Sequence, residues 1–381
     1  MNLTLAATAA FGLESLVELE VRELGYKDVF IDNGRVIFKA HENGIARANL
    51  WLRCADRVLV QVGTFPAATF DELFEGCRRL PWAEWIAEDG KFPVSGRSVK
   101  SRLHSVPDCQ AIVKKAIVES LKSKYGLERF PETGPMFHVE ISMLDDVATL
   151  TLDTSGQALH KRGYRKAAGV APLKETLAAG MVMISRWRPG RPFLDPFCGS
   201  GTIPVEAALM GLHMAPGLGR SFAAEEWPGI PAACWVSARE EARDLAEPGR
   251  LLDIHGSDKD ETAIREARRN AEAAGLSRNI RFAALDVRDV SPGGDFGCIV
   301  CNPPYGERLG DFREAGETYE AMRVAFQRFG TWSFFVITPH TNFEKVFRQR
   351  ADKRRRLYNG NISCTYYQFF GPLPPQGATP A

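Results

Sequence analysis

The segment 191–211, RPFLDPFCGSGTIPVEAALMG, constrains the fold more than any other part of the chain. An apolar run ends at Asp195, a glycine-rich turn occupies 199–201, and a helical pattern begins near Pro204. Glycines allow a ligand to approach the backbone closely, and a helix N-terminus offers free N–H groups to a polar ligand. The segment therefore predicts a strand, a tight ligand-binding loop and a helix.

The rest of the chain divides into two patterns. After a basic connector at 155–169, strands alternate with helices through about residue 370, which predicts a doubly wound parallel α/β sheet of the Rossmann-like kind. Residues 1–155 mix strands and helices as an α+β unit, with a hairpin turn at Asn33-Gly34 and a long helix over about 107–125.

Composition limits the classes of partner. The chain has 381 residues, 45% of them hydrophobic, and a net charge of +1, so extensive disorder and a global charge excess are excluded. No apolar run reaches the ~18 residues of a membrane span, and the N-terminus lacks the features of a signal peptide. We expect a cytoplasmic protein without a membrane partner. Its one CxxC pair, Cys298 and Cys301, lies in the apolar run CIVC, which favours strand packing over metal or redox chemistry.

One segment is locally basic. Residues 91–129 contain nine basic and three acidic residues. A solvated helix face and a phosphate-binding surface are both consistent with this charge.

Three acidic residues follow three strand-like runs. The spacing of a dinucleotide fingerprint fails, because its third glycine would fall at Pro204. Asp195 instead suits a cationic ligand such as the amino and sulfonium groups of S-adenosylmethionine. Asp258 is placed to accept ribose hydroxyls, and Asp286 to meet an adenine amino group. An insertion over about 213–250 explains the long interval before Asp258.

The segment Asn302-Pro303-Pro304-Tyr305 follows the run FGCIVC. The Asn302 side-chain oxygen and the Pro303 carbonyl can accept hydrogen bonds from an exocyclic amine and orient its lone pair toward a methyl donor. Tyr305 can stack on the target base. The alternative is a proline-rich turn around a packed tyrosine.

These motifs carry a resemblance to a known family. DPFCGSGT and NPPYGERLG resemble the class I methyltransferases that methylate the N2 amine of guanine in RNA, as do the segments at 159–179, 216–227 and 358–369. The N-terminal part resembles a ferredoxin-like domain followed by a THUMP domain. The likeness is to the bacterial 23S rRNA guanine-N2 methyltransferases, here without a second fused methyltransferase.

The resemblance implies a domain order and a set of functional residues. It implies a ferredoxin-like domain at 1–60, a THUMP domain at 61–155, a linker at 156–170, a seven-stranded methyltransferase domain at 171–371 and a tail at 372–381. The implied cofactor is S-adenosylmethionine, no metal is needed, and the implied partner is structured RNA, most simply 23S rRNA. Cofactor contacts are assigned to Asp195, Phe197, Gly199, Ser200, Gly201, Asp258, Asp286 and Asn302, catalytic roles to Asn302, Pro303 and Tyr305, and RNA contacts to Lys114, Lys115, Lys122 and Arg129.

Three alternatives stay open at this point. The Asn-Pro-Pro-Tyr segment at 302–305, here called the clamp, would orient the target amine equally well in an N6-adenine or N4-cytosine amino-methyltransferase. Cys198 or Cys301 could act as the thiolate nucleophile of a C5-pyrimidine methyltransferase. The chain could also be a non-enzymatic rRNA-binding assembly factor with a decayed pocket.

Overall fold

The computed structural model describes residues 2–165, 173–305 and 312–374. These residues form two compact units. The first consists of the described residues within 1–9, 17–159 and 220–241, and the second of those within 10–16, 160–219 and 242–381. No helix among the described residues is long and apolar enough to cross a membrane.

The first unit is built on one seven-stranded sheet of order β2-β3-β1-β4-β7-β6-β5. Its strands are β1 (Leu3–Ala9), β2 (Val29–Asp32), β3 (Arg35–Ala40), β4 (Ala55–Pro66), β5 (Val94–Val99), β6 (Val139–Leu144) and β7 (Val147–Asp153). The helices of this part of the chain are α1 (Glu14–Glu23), α2 (Glu42–Trp51), α3 (Phe70–Arg78) and α4 (Val106–Tyr125).

Two tight turns shape this sheet, and the first confirms the hairpin turn predicted at Asn33-Gly34. Asn33 and Gly34 have φ angles of 47° and 77° and join β2 to β3, as a type I′ turn requires. Asp145 and Asp146, with φ angles of 48° and 59°, join β6 to β7 in the same left-handed region, which short polar side chains tolerate. The predicted boundary at residue 60 falls inside β4, which pairs with β1 on one side and β7 on the other.

The second unit holds a seven-stranded sheet of order β10-β9-β8-β11-β12-β14-β13. Its strands are β8 (Phe193–Asp195), β9 (Ile254–Asp258), β10 (Ile280–Ala284), β11 (Cys298–Cys301), β12 (Ser333–Thr338), β13 (Lys353–Asn359) and β14 (Ile362–Phe369). Its helices are α5 (Glu175–Ser185), α6 (Thr202–Gly211), α8 (Glu261–Ala273), α9 (Phe312–Phe326) and α10 (Phe343–Phe347), while α7 (Ala232–Asp244) lies in the insertion.

The expectation of a parallel sheet is confirmed for β8 to β12 and is wrong for β14, which runs in the opposite direction to every other strand of the sheet. β8 to β12 are parallel, but β14 pairs antiparallel with β12 and with β13. A two-residue loop, Gly360-Asn361, closes the final hairpin, and Gly360 has a φ of 61°. Glycine favours this conformation, so the chain reverses there instead of crossing over through a helix.

Candidate active site

The strand order reverses between β8 and β11. From β8 the chain builds outward through β9 and β10, then returns to the other side of β8 with β11. In open α/β sheets, ligands bind at the carboxyl ends of the strands at such a switch point. Asp195 ends β8, and Asn302 follows β11 directly. The topology therefore places the two strongest sequence motifs side by side.

The donor loop, residues 195–201, is fixed by backbone contacts. The Cys198 N–H donates to the Ser257 carbonyl at 2.9 Å, and the Gly199 N–H donates to Asp258 Oδ2 at 3.1 Å. Gly201, with a φ of 81°, is the N-cap of α6. A Cβ on Gly201 would lie 3.0 Å from the Ala267 Cβ, so the glycine is needed for both the turn and the close packing of α8.

A cavity of about 510 Å³ opens at the switch point, within the ~300–1,000 Å³ of small-molecule sites. Six of the predicted cofactor residues line it at the donor loop and the strand ends: Asp195, Phe197, Gly199, Ser200, Asp258 and Asp286. Asn302 and Pro304 line it from the clamp. The predicted residues Gly201, Pro303 and Tyr305 are not among its lining.

Two buried oxygens in this cavity have no hydrogen-bond donor among the described residues. One is Oδ2 of Asp195, whose other oxygen accepts from the Phe197 N–H at 3.0 Å, and the second is Oδ1 of Asn302. Burial raises the pKa of the Asp195 carboxyl well above its usual range, since only 1% of the residue is exposed. Buried polar atoms are normally hydrogen-bonded. A cationic amino group at Asp195 and an amine at Asn302 would satisfy both oxygens.

Asp258 and Asp286 already accept hydrogen bonds from the protein. Asp258 accepts from the backbone N–H groups of Gly199 and Asp260, at 3.1 and 3.0 Å. Asp286 accepts from the backbone of Arg288 at 2.9 Å and from its guanidinium at 3.2 Å. Each carboxylate oxygen has two acceptor positions, so both groups can take a further donor. The ribose contact of Asp258 and the adenine contact of Asp286 stay predictions.

The clamp residues after β11 have different surroundings. Pro303 is buried, and Tyr305 is half-buried with its hydroxyl accepting a hydrogen bond from the Asn359 side-chain amide at 2.6 Å. Base stacking by Tyr305 stays a prediction. Burial raises the pKa of the Cys301 thiol well above its usual range and also raises that of Cys198. Neither thiol has the lowered pKa that a C5-pyrimidine nucleophile needs.

The sequence patterns missed several residues of the cavity wall. They come from helices that carry no motif or from positions next to a motif, namely Leu173, Thr202, Ile203, Lys259, Glu266, Val287, Arg288, Thr318 and Ala321. Arg165 lies within hydrogen-bond reach of the Thr202 hydroxyl and pairs with Glu175 at 3.3 Å. Arg165, in the basic connector at 155–169, thus contacts the first residue of α6. The sequence pointed to a role for this connector only through the resemblance of residues 159–179 to the family.

A second ion pair lies behind the donor loop. Arg162 and Glu206 are almost fully buried and approach to 3.4 Å, and the Tyr164 hydroxyl donates to Glu206 at 3.2 Å. Removing one member of a buried pair leaves an uncompensated charge. The pair therefore fastens the connector to α6.

The predicted RNA-contact residues lie on or just after α4 in the first unit. Lys114 donates to Glu132 at 2.7 Å and lies over the Phe92 ring, while Lys115 lies 5.7 Å from the centre of the Phe74 ring. Lys122 pairs with Glu119 and Glu128 at 3.6 and 3.4 Å, and Arg129 is exposed. Nearby carboxylates thus neutralise part of this basic segment, and its contact with RNA stays a prediction.

Comparison with known proteins supports the class that the fold and the cavity define, a class I methyltransferase. Residues 162–368 match the family described as "RMKL-like, methyltransferase domain". Residues 4–59 match the RlmL ferredoxin-like domain, and residues 67–153 match the THUMP domain. The chain belongs to the RMKL-like methyltransferase family, and S-adenosylmethionine is the cofactor of its methyltransferase domain.

Three relatives match this chain over nearly their whole length. The chain is 51% identical over 375 residues to the Bacillus subtilis (strain 168) protein named "Putative RNA methyltransferase YpsC", covering 98% of this chain and 97% of that protein. A Listeria monocytogenes structure described as a "predicted N6-adenine-specific DNA methylase" is 50% identical, with a TM-score of 0.94 over 98% of this chain and 97% of that one. SMU.472, "a putative methyltransferase complexed with SAH", is 43% identical, with a TM-score of 0.93 over 98% and 99%.

Proposed function

We propose that this protein methylates the exocyclic N2 amine of a guanosine in RNA, with 23S rRNA as the substrate. The observation that carries the proposal is the buried Oδ1 of Asn302, which has no donor among the described residues and lines the same cavity as Asp195. The family resemblance and the THUMP match support an RNA substrate. A relative named as an RNA methyltransferase supports the same class.

The chemistry follows from two acceptors. Asp195 holds a cationic amino group at the end of β8, and Asn302 accepts a hydrogen bond from the target amine at the end of β11. Accepting that hydrogen bond turns the nitrogen lone pair away from the ring and stabilises the positive charge that forms on nitrogen. S-adenosylmethionine, when bound, would supply an electrophilic methyl group: the sulfonium C–S bond breaks as the N–C bond forms, S-adenosylhomocysteine is the leaving group, and the methylated nitrogen loses one proton to water. Because the target atom is inaccessible within a base-paired stack, the base must leave its stack to reach Asn302.

Replacement of the Asn302 side chain tests this role. Asn302→Ala should lower the single-turnover rate of methyl transfer by ~10²–10³, as for other preorganised polar groups, with affinity for S-adenosylmethionine nearly unchanged. Asn302→Asp keeps an acceptor and should be partly active. The assay is rapid-quench transfer of labelled methyl to 23S rRNA transcribed in vitro, followed by nuclease digestion and identification of the nucleoside. An Asn302→Ala variant that keeps the wild-type rate would remove Asn302 from the clamp.

The identity of the methylated nucleoside distinguishes the proposed function from the alternative functions. N2-methylguanosine supports the proposal. N6-methyladenosine or N4-methylcytidine would keep the clamp and move the assignment to another amino-methyltransferase class, as the description of the Listeria relative suggests for that protein. A base methylated on carbon would contradict the clamp. No transfer to any RNA by protein that binds S-adenosylmethionine would favour a non-enzymatic assembly factor.

A further inference from the structure

A second basic segment lies in the methyltransferase unit and ends beside the clamp. Residues 344–356 contain seven basic and two acidic residues, and four of the basic ones are consecutive at 353–356. These four open β13, which is the last strand of its sheet and pairs only with β14 among the described strands. The edge of this sheet is thus a row of cationic side chains.

The two faces of β13 differ because side chains alternate along a strand. On one face, Leu357 is fully buried and Arg355 donates to the Gly12 carbonyl at 2.8 Å. On the other face, Arg356 is exposed and Tyr358 is half-buried. Arg356 and Tyr358 therefore belong to the outward face of the strand.

The outward face combines a cation with two aromatic rings. The Arg356 guanidinium lies 5.6 Å from the centre of the Tyr358 ring, and Phe11 meets the same ring edge-on at 5.6 Å. Phe11 is 60% exposed, so its ring is accessible from solvent. Arg356 has no carboxylate partner among the described residues, although its Nε donates to the Ser363 hydroxyl at 3.1 Å. Exposed aromatic rings beside arginine are how proteins hold single-stranded nucleic acid.

The carboxyl end of β13 lies beside the clamp, because β13 runs in the same direction as β11 and β12. Asn359, next to Tyr358, donates to the Tyr305 hydroxyl at 2.6 Å. Tyr305 follows the cavity-lining residues Asn302 and Pro304 in the chain. Tyr358 is therefore one residue away from a direct contact with the clamp, at the same edge of the sheet as the cavity.

We propose that Arg356, Tyr358 and Phe11 form a binding site for the single-stranded nucleotide that flanks the target base. Tyr358 and Phe11 stack on the flanking base, and Arg356 contacts its phosphate. The site rests on the proposed function, because it takes the RNA that the catalytic cavity modifies. RNA contacts are already predicted for the first unit. The site on β13 would add an RNA-binding surface on the methyltransferase unit.

The test is binding of a short fluorescein-labelled single-stranded oligoribonucleotide to the full chain, followed by fluorescence anisotropy across a salt series. Tyr358→Leu should weaken binding by about 5- to 150-fold, the range of one lost base–aromatic stack, and Tyr358→Phe should restore it. Arg356→Ala should reduce the slope of log affinity against log salt by about 0.7, the effect of one phosphate contact on a single strand. Affinity for S-adenosylmethionine should not change in any of these variants.

Arg281→Ala is the matched control, since Arg281 is an exposed arginine on β10 at the opposite edge of the same sheet. It should bind the oligoribonucleotide with the wild-type salt slope. Identical binding curves for the wild type, Arg356→Ala and Tyr358→Leu would overturn the β13 site even if the wild type methylates rRNA. A wild type that transfers no methyl group to any RNA would contradict the proposed function instead, so the two failures are distinguishable.

Discussion

Asp195→Asn tests whether this carboxyl binds the amino group of the cofactor. The substitution should weaken cofactor binding without destabilising the free protein. Among the described residues, no donor reaches one oxygen of this buried carboxyl, and burial raises its pKa well above the usual range. The charged partner proposed for it is the amino group of S-adenosylmethionine. Losing one hydrogen bond to a charged group costs about 1.5–3 kcal/mol, so the cofactor should bind about 10- to 150-fold more weakly to the variant. Isothermal titration calorimetry at neutral pH measures this difference.

The pH dependence gives an independent check on Asp195. Because burial raises its folded-state pKa, the free protein holds a proton there that the unfolded chain has lost, and wild-type stability falls as pH rises through this window. The ammonium group of the cofactor favours the carboxylate, so binding should release a proton below the raised pKa. Wild-type affinity should therefore increase with pH. Asp195→Asn should abolish this proton-linked increase and raise the thermal midpoint of the free protein at neutral pH.

Asp253→Asn is the matched control for this change. Asp253 precedes β9, is partly exposed, pairs with His255 at 2.8 Å and does not line the cavity. The control should bind S-adenosylmethionine as the wild type does and should release the same number of protons. If Asp195→Asn binds the cofactor with wild-type affinity and wild-type pH dependence, Asp195 does not hold the amino group and the site is misassigned.

Three further changes test other parts of the account. Asp258→Ala should weaken cofactor binding by ~1–3 kcal/mol in calorimetry, because two ribose hydroxyls lose an acceptor; unchanged affinity would remove Asp258 from the site. Replacing Lys114 and Lys115 by Ala should weaken rRNA binding and reduce the slope of log affinity against log salt by about two units at most. An unchanged slope would mean that this helix face contacts solvent and not RNA. Glu206→Ala removes the carboxylate of the buried pair with Arg162 and should lower the urea-unfolding free energy by about 3–5 kcal/mol, whereas a loss under 1 kcal/mol would contradict a structural role for the pair.

Local patterns identified the parts of the fold that local chemistry determines. The strand, glycine turn and helix at 191–211 occur as predicted, with β8 ending at Asp195 and α6 beginning at Thr202. The 107–125 helix and the turn at Asn33-Gly34 also occur where the sequence placed them. In each case the signal lies within a few residues of the structure that it predicts.

Contacts between distant segments were not readable in this way. Residues 220–241 pack with the first unit, where Arg47 pairs with Glu241 at 2.8 Å, although they lie in the middle of the methyltransferase sequence. The pairing of Arg165 with Glu175 and the cavity-lining position of Thr318 depend on how helices pack. Hydrophobic periodicity and motif spacing do not predict such pairings, because the paired residues become neighbours only after the chain has folded.

The antiparallel end of the second sheet shows the same limit. The sequence predicted strands alternating with helices through about residue 370, but it did not show that the chain reverses direction at Gly360, a residue in the left-handed region. That reversal produces the β13 edge with Arg356 and Tyr358 on its outer face. The basic character of 344–356 is visible in the sequence, whereas its closeness to Tyr305 is not.

The most direct test of the central claim is nucleoside mass spectrometry of 23S rRNA from cells with and without this gene. We expect N2-methylguanosine to fall by one residue per rRNA molecule in the deletion strain. Wild-type protein should restore it, and Asn302→Ala should not. An unchanged N2-methylguanosine content in the deletion strain, with or without loss of another methylated nucleoside, would contradict guanine-N2 methylation of 23S rRNA by this protein.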